Sequence, residues 1–159
     1  MEKVFHTLEP VFDENSKVLV LGSLPSPLSR AKGFYYGHPQ NRFWRVLEKV
    51  FNEEIPDSNE AKRAFLLGKG IALWDVIYSC DINGASDSSI KNAVPNDFSV
   101  IFSAADIKRV FTTGKTAYAL YRRFTGETPV LLPSPSPANC AVKFDDLVSS
   151  YSSILPFLN

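Results

Sequence analysis

Apolar residues follow two alternating rhythms along the chain. Short apolar runs are Val18-Leu19-Val20-Leu21-Gly22, Ile71-Ala72-Leu73-Trp74-Asp75-Val76, Arg109-Val110-Phe111-Thr112-Thr113 and Pro129-Val130-Leu131-Leu132. Runs of this length predict buried parallel strands. Between them, apolar positions fall at helical spacing. Phe43, Trp44, Val46, Leu47, Val50 and Phe51 follow Asn41, and a second helix spans 59–69, stopped by Gly68 and Gly70. Further helices are expected from Pro95-Asn96 to about Ala104, from Gly114 to Phe124, and from Lys143 to about Ser153. Strand and helix alternate, which predicts an α/β fold. The expectation is a three-layer sandwich with a central, mainly parallel four-stranded sheet flanked by helices, in one domain over 1–159. Residues 79–92 are rich in Ser, Asp and Asn and are expected to be a loop. The segment Ser23-Leu24-Pro25-Ser26-Pro27 cannot be helical, and a longer loop runs on through Gly33 and Gly37 to Pro39.

An open parallel sheet binds ligands beyond the carboxyl ends of its strands. That places a site among the loops 22–41, 74–90, 113–115 and 133–140. Composition narrows the chemistry only a little. The 17 basic and 17 acidic residues cancel, so bulk charge gives no support for a polyanionic partner, although a local basic face would suffice. Cys80 and Cys140 form no C-x-x-C pair and are too few for a four-thiolate cluster. They are expected to be reduced thiols. His6 and His38 lack ligand-spaced partners, so neither metal nor cofactor is expected. With no apolar signal core and no run of membrane-spanning length, the expectation is a soluble, cytoplasmic monomer.

Three segments stand out. The first runs from Gly22-Ser23-Leu24-Pro25-Ser26 to Gly33-Phe34-Tyr35-Tyr36-Gly37-His38-Pro39-Gln40-Asn41-Arg42-Phe43-Trp44. Aromatics in a loop, off any periodic face, suit a base-stacking platform. Asn41 fits a helix cap, a side chain of the site, or both. The second is Gly114-Lys115-Thr116-Ala117-Tyr118. It is not a P-loop, because the upstream glycine and its spacers are missing. A helix start with Lys115 can hold one phosphate, or be only a helix start. The third is Leu132-Pro133-Ser134-Pro135-Ser136-Pro137-Ala138-Asn139, a stiff loop that is either a plain turn or a prepaid rigid element.

These segments resemble the uracil-DNA glycosylase superfamily, and within it the hypoxanthine-DNA (deoxyinosine) glycosylases. That branch carries Gly-Phe-Tyr-Tyr-Gly-His-Pro-Gln-Asn-Arg-Phe-Trp where this chain has 33–44, and a near-identical Leu-Pro-Ser-x-Ser-Pro-Ala-Asn at 132–139. Most relatives place a catalytic Asn or Asp in the first-strand loop, where this chain has Leu24. The hypoxanthine branch shares that loss, and its essential amide resembles Asn41. The resemblance implies Asn41 as catalytic and Tyr36, Phe34, Gly22, Ser23 and His38 as base-binding. It implies Ser134, Pro135, Ser136, Pro137, Asn139, Lys115 and Arg42 as DNA-binding. Leu73-Trp74-Asp75-Val76 and Ser86-Asp87-Ser88 also look like this branch. Asp75 is expected to tie loops together, and Asp87 to do the same or to face a ligand.

The implied activity is hydrolysis of the N-glycosidic bond of a deaminated base in DNA, hypoxanthine first, leaving an abasic site. Tyr36 would cover the flipped base and the 132–139 loop would fill the gap in the duplex. A carboxamide matches a carbonyl beside a ring N–H, as in hypoxanthine and uracil, and mismatches adenine. Lys32 is a weak candidate for a strand-cleaving amine, so a monofunctional enzyme is expected. A uracil- or mismatch-type enzyme is the nearest alternative, and Leu24 argues against it. A catalytically silent nucleic-acid-binding module is the other.

Overall fold

A computed structural model describes residues 1–158. The four apolar runs become the parallel strands β2 (Val18–Gly22), β3 (Ile71–Asp75), β6 (Arg109–Thr113) and β7 (Val130–Leu132), in sheet order β3-β2-β6-β7. Every residue of β2 and β3 is buried, as expected for central strands covered on both faces. Around this sheet lie the helices α1 (Pro27–Lys32), α2 (Phe43–Phe51), α3 (Asn59–Lys69), α4 (Ser99–Phe102), α5 (Lys115–Thr125) and α6 (Phe144–Tyr151). One core cluster runs from the sheet into α2, α3, α5 and α6 through Leu19, Leu21, Phe43, Leu47, Leu66, Phe111, Tyr121 and Tyr151. Each fully buried large apolar side chain contributes about 1.5–3 kcal/mol.

Three elements differ from the sequence expectation. The short helix α1 lies inside the expected 22–41 loop. Pro27 occupies its first turn, where the missing N–H costs nothing, and the Ser26 side chain caps it by accepting from the Ser29 N–H. The segment 79–92 is not a loop. It lies mostly in β4 (Ile77–Asn83) and β5 (Ser86–Pro95), which with β1 (Glu2–Phe5) make an antiparallel sheet of order β1-β4-β5. Its inner face is a small second cluster of Val4, Ile77, Cys80 and Ile82. The outer face of β5 is polar and its pairing with β4 is interrupted by register shifts. A half-solvated, irregular strand of Ser, Asp and Asn has almost no strand propensity to read. The third expected helix, from Pro95-Asn96 to about Ala104, also shrinks to α4, whose flanking residues form turns.

The topology changes direction at β2. The chain leaves β2 for β3 on one side, and reaches β6 and β7 on the other. The carboxyl ends of these strands, at Gly22, Asp75, Thr113 and Leu132, therefore surround a crevice.

Candidate active site

A cleft of about 1040 Å³ opens at that crevice. Gly22, Asp75 and Thr113 form its floor, the β4–β5 turn with Asp87 one wall, and the 133–139 loop another. Tyr36, His38 and Asn41 come from the segment before α2.

The floor depends on Gly22 having no side chain. A Cβ there would lie 2.5 Å from Asp75 Oδ1 and 3.1 Å from the Tyr36 hydroxyl oxygen. Asp75 is 3% exposed, and its Oδ2 lies 2.8 Å from His6 Nε2, at the end of β1. Its Oδ1 has no hydrogen-bond partner among the described residues. Asn96 holds the bend between β3 and β4, donating from Nδ2 to the carbonyls of Asp75 and Ile77.

Tyr36 has a φ of 53°, a strained conformation for a non-glycine residue. Its ring stacks on Phe43 at 4.0 Å, nearly parallel, and its hydroxyl shares a hydrogen bond with Thr113 Oγ1 at 2.9 Å. Burial pushes the phenol far above its usual pKa, and the Asp75 charge adds to this, so the hydroxyl stays protonated. His38 Nδ1 accepts from the Gln40 N–H. In the neutral ring the proton then sits on Nε2.

The N-cap of α2 is Arg42, which makes no side-chain cap hydrogen bond, so the expected cap role of Asn41 is not met. Asn41 lies one residue earlier and closes an Asx turn onto the helix start. Its Oδ1 accepts from the Phe43 N–H at 2.9 Å, while its Nδ2 has no partner among the described residues and the residue lines the cleft. The backbone thus fixes the oxygen of the amide and leaves its amino group available.

The third sequence segment is braced from several sides. Arg42 donates to the carbonyls of Val142 and Asn139, and its own N–H to Pro135. Tyr151 donates to the Pro133 carbonyl at 2.7 Å, and Asn139 Nδ2 closes the loop on the Ser134 carbonyl. Gly114, at φ 96°, lets Ser134 approach: a Cβ on Gly114 would lie 3.2 Å from that of Ser134.

Of the residues expected in the site, Gly22, Ser23, Tyr36, His38, Asn41, Lys115, Ser134, Pro135, Ser136, Pro137 and Asn139 all line this cleft. Phe34 and Arg42 do not. Phe34 is buried against Trp44 and Tyr35, because its ring completes the core under α2. Arg42 spends its guanidinium on loop carbonyls rather than on the cleft. Pro135 lines the cleft but is itself buried, beneath the more exposed turn at Ala138. Lys32 donates to the Gly37 carbonyl and lies outside the cleft lining. Asp75 ties β1 to β3 as expected, but it also faces the site. Asp87 accepts from Ser23 Oγ at 2.7 Å. Thr113 and His6 carried no sequence signal. Thr113 closes a strand end, which is the only hint available.

Among the described residues no group of three or more His, Cys, Asp or Glu could hold a metal ion, and no helix is long and apolar enough to cross a membrane.

Known proteins resemble this chain in sequence and fold. The family model of the uracil DNA glycosylase superfamily matches residues 9–153. A hypoxanthine DNA glycosylase of Methanosarcina barkeri is 40% identical over 130 residues, 79% of this chain and 82% of the relative. A hypoxanthine DNA glycosylase of Methanosarcina acetivorans is 38% identical over 133 residues, 81% and 84% of the two chains. A solution NMR structure of a Methanosarcina acetivorans protein, described as a uracil DNA glycosylase, superposes with a TM-score of 0.77 at 32% identity. It covers 94% of this chain and 98% of that one. The chain belongs to the uracil DNA glycosylase superfamily.

Proposed function

We propose that this chain is a monofunctional DNA glycosylase that releases hypoxanthine from deoxyinosine in DNA, with uracil as a secondary substrate, and that Asn41 is its catalytic amide. One observation carries the assignment. The Asn41 carboxamide lines the cleft with its oxygen held by the Phe43 N–H and its amino group unpartnered. A preorganised donor of this kind stabilises charge that develops on a leaving base. The same amino group complements the carbonyl of hypoxanthine or uracil and opposes the exocyclic amine of adenine.

The base leaves its stack and enters the cleft beside Tyr36, while the braced 133–139 loop occupies the gap in the duplex. The glycosidic bond stretches with oxocarbenium character and water adds to the sugar. What the protein supplies is orientation of that water and stabilisation of the departing base. No step calls for a metal.

Duplexes carrying one deoxyinosine, one deoxyuridine or only normal bases test this reading. Alkali should cut the deoxyinosine strand efficiently, the deoxyuridine strand less, and the normal strand not at all. A chelator should leave the rates unchanged. Strand cutting without alkali would mean a lyase, and an intact deoxyinosine strand would overturn the assignment.

A further inference from the structure

Two carboxylates from two different sheets converge on the dipeptide Gly22-Ser23. Asp75 Oδ1, from the parallel sheet, is crowded against Gly22. Asp87, from the antiparallel hairpin, takes the Ser23 hydroxyl on its Oδ2 at 2.7 Å. Both residues line the cleft, and Asp87 Oδ1 has no partner among the described residues. We propose that Asp87 is a general acid that protonates N7 of the departing purine through its Oδ1. This rests on the deoxyinosine reading above.

The geometry suits an acid. The Ser23 hydroxyl donates to Oδ2, which leaves Oδ1 available to carry a proton toward the cleft. The hairpin brings the group to the cleft wall, on the side of Ser23 and Tyr36. The surroundings move the pKa of this carboxyl upward. Asp87 is exposed at the cleft mouth, and the protein packed around its carboxyl raises its pKa. The Ser23 bond opposes the rise and the Asp75 charge adds to it. The groups that face it are Asp75 from β3, Tyr36 from the cleft segment and Cys80 from β4, with Arg30 of α1 near Cys80.

The step balances as follows. The C1′–N9 bond breaks and its electron pair stays on the purine. The Asp87 proton passes to N7, so hypoxanthine leaves neutral. Water oxygen bonds to C1′, and the proton that water sheds restores the Asp87 carboxyl through solvent in the cleft. Uracil has no counterpart of N7 and leaves as an anion, so the acid serves purines only. This supplies a role for the Asp87 hairpin in an enzyme whose first-strand loop carries Leu24.

Asp87→Asn tests the proposal, because it keeps an acceptor for Ser23 and removes the proton. General acids contribute about 10²–10⁴-fold. Single-turnover rates on deoxyinosine and deoxyuridine duplexes should show their ratio falling by about a hundredfold in the variant. The wild-type rate on deoxyinosine should decline as pH rises through the raised Asp87 pKa, and the variant should lack that decline. Where deoxyuridine release is too slow to time, the pH profile decides. Equal losses on both substrates, no loss on either, or an unchanged pH profile would overturn the acid and leave Asp87 as a strut of the cleft wall. A wild-type protein inert on deoxyinosine would instead refute the proposed function.

Discussion

Tyr36 shows how much of a site residue a sequence reveals. Its place between two glycines and its resemblance to a stacking aromatic pointed to the cleft. Its positive φ and the Phe43 ring beneath it did not follow from the local pattern, because both depend on where α2 lies. With one ring face given to Phe43, the other is the surface left for a base. Tyr36→Ala should remove about 1–3 kcal/mol of base–aromatic contact, read as a slower single-turnover rate at subsaturating enzyme. Tyr36→Phe keeps the face and loses only the Thr113 hydrogen bond, worth about 1 kcal/mol of stability. Equal rates for the two variants would exclude stacking as the role. Phe34 carries the opposite lesson. It sits in the same aromatic run, yet its ring goes to the core, and nothing in Gly-Phe-Tyr-Tyr says which ring turns inward.

Among the elements, the four parallel strands and their helices were legible because apolar runs and helical spacing are local signals. The β4–β5 hairpin was not. Its pairing is held by a small cluster contributed partly by Val4, more than seventy residues away in sequence, and by bulged contacts that leave no alternation to read. One signal was present: Gly84, at φ 57°, opens a two-residue turn between Asn83 and Ser86. The 132–139 loop was legible as stiff, but its prolines explain only part of the stiffness. Arg42 and Tyr151 supply the rest through carbonyl contacts. Arg42→Met keeps the apolar stem and removes those hydrogen bonds, each worth about 1.5–3 kcal/mol when the donor is charged. Hydrogen exchange at the Asn139 and Val142 amides should accelerate roughly tenfold or more. Exchange at the wild-type rate would show that the prolines alone hold the loop.

At the scale of the molecule, the zero net charge makes DNA binding depend on few cations. Arg30, Lys32 and Arg42 each donate to a backbone carbonyl, whereas Lys115 is exposed at the cleft, at the start of α5. Lys115→Ala should therefore weaken binding to every duplex alike and reduce the slope of log affinity against log salt by about 0.9. An unchanged slope would remove Lys115 from the phosphate contacts. Fold stability and activity also separate at one residue, Asn41, whose oxygen braces the start of α2 at the Phe43 N–H and whose amino group is offered to the cleft. Aspartate keeps an oxygen for the Phe43 N–H, whereas alanine loses that hydrogen bond, worth about 1 kcal/mol. The decisive measurement is hypoxanthine release from a deoxyinosine duplex by wild type and Asn41→Asp, with thermal melts of both. The account predicts a melt close to wild type and a rate lower by roughly a hundredfold or more, the scale of one lost preorganised donor. Full activity in the aspartate variant would contradict this and leave Asn41 only a brace of the α2 start.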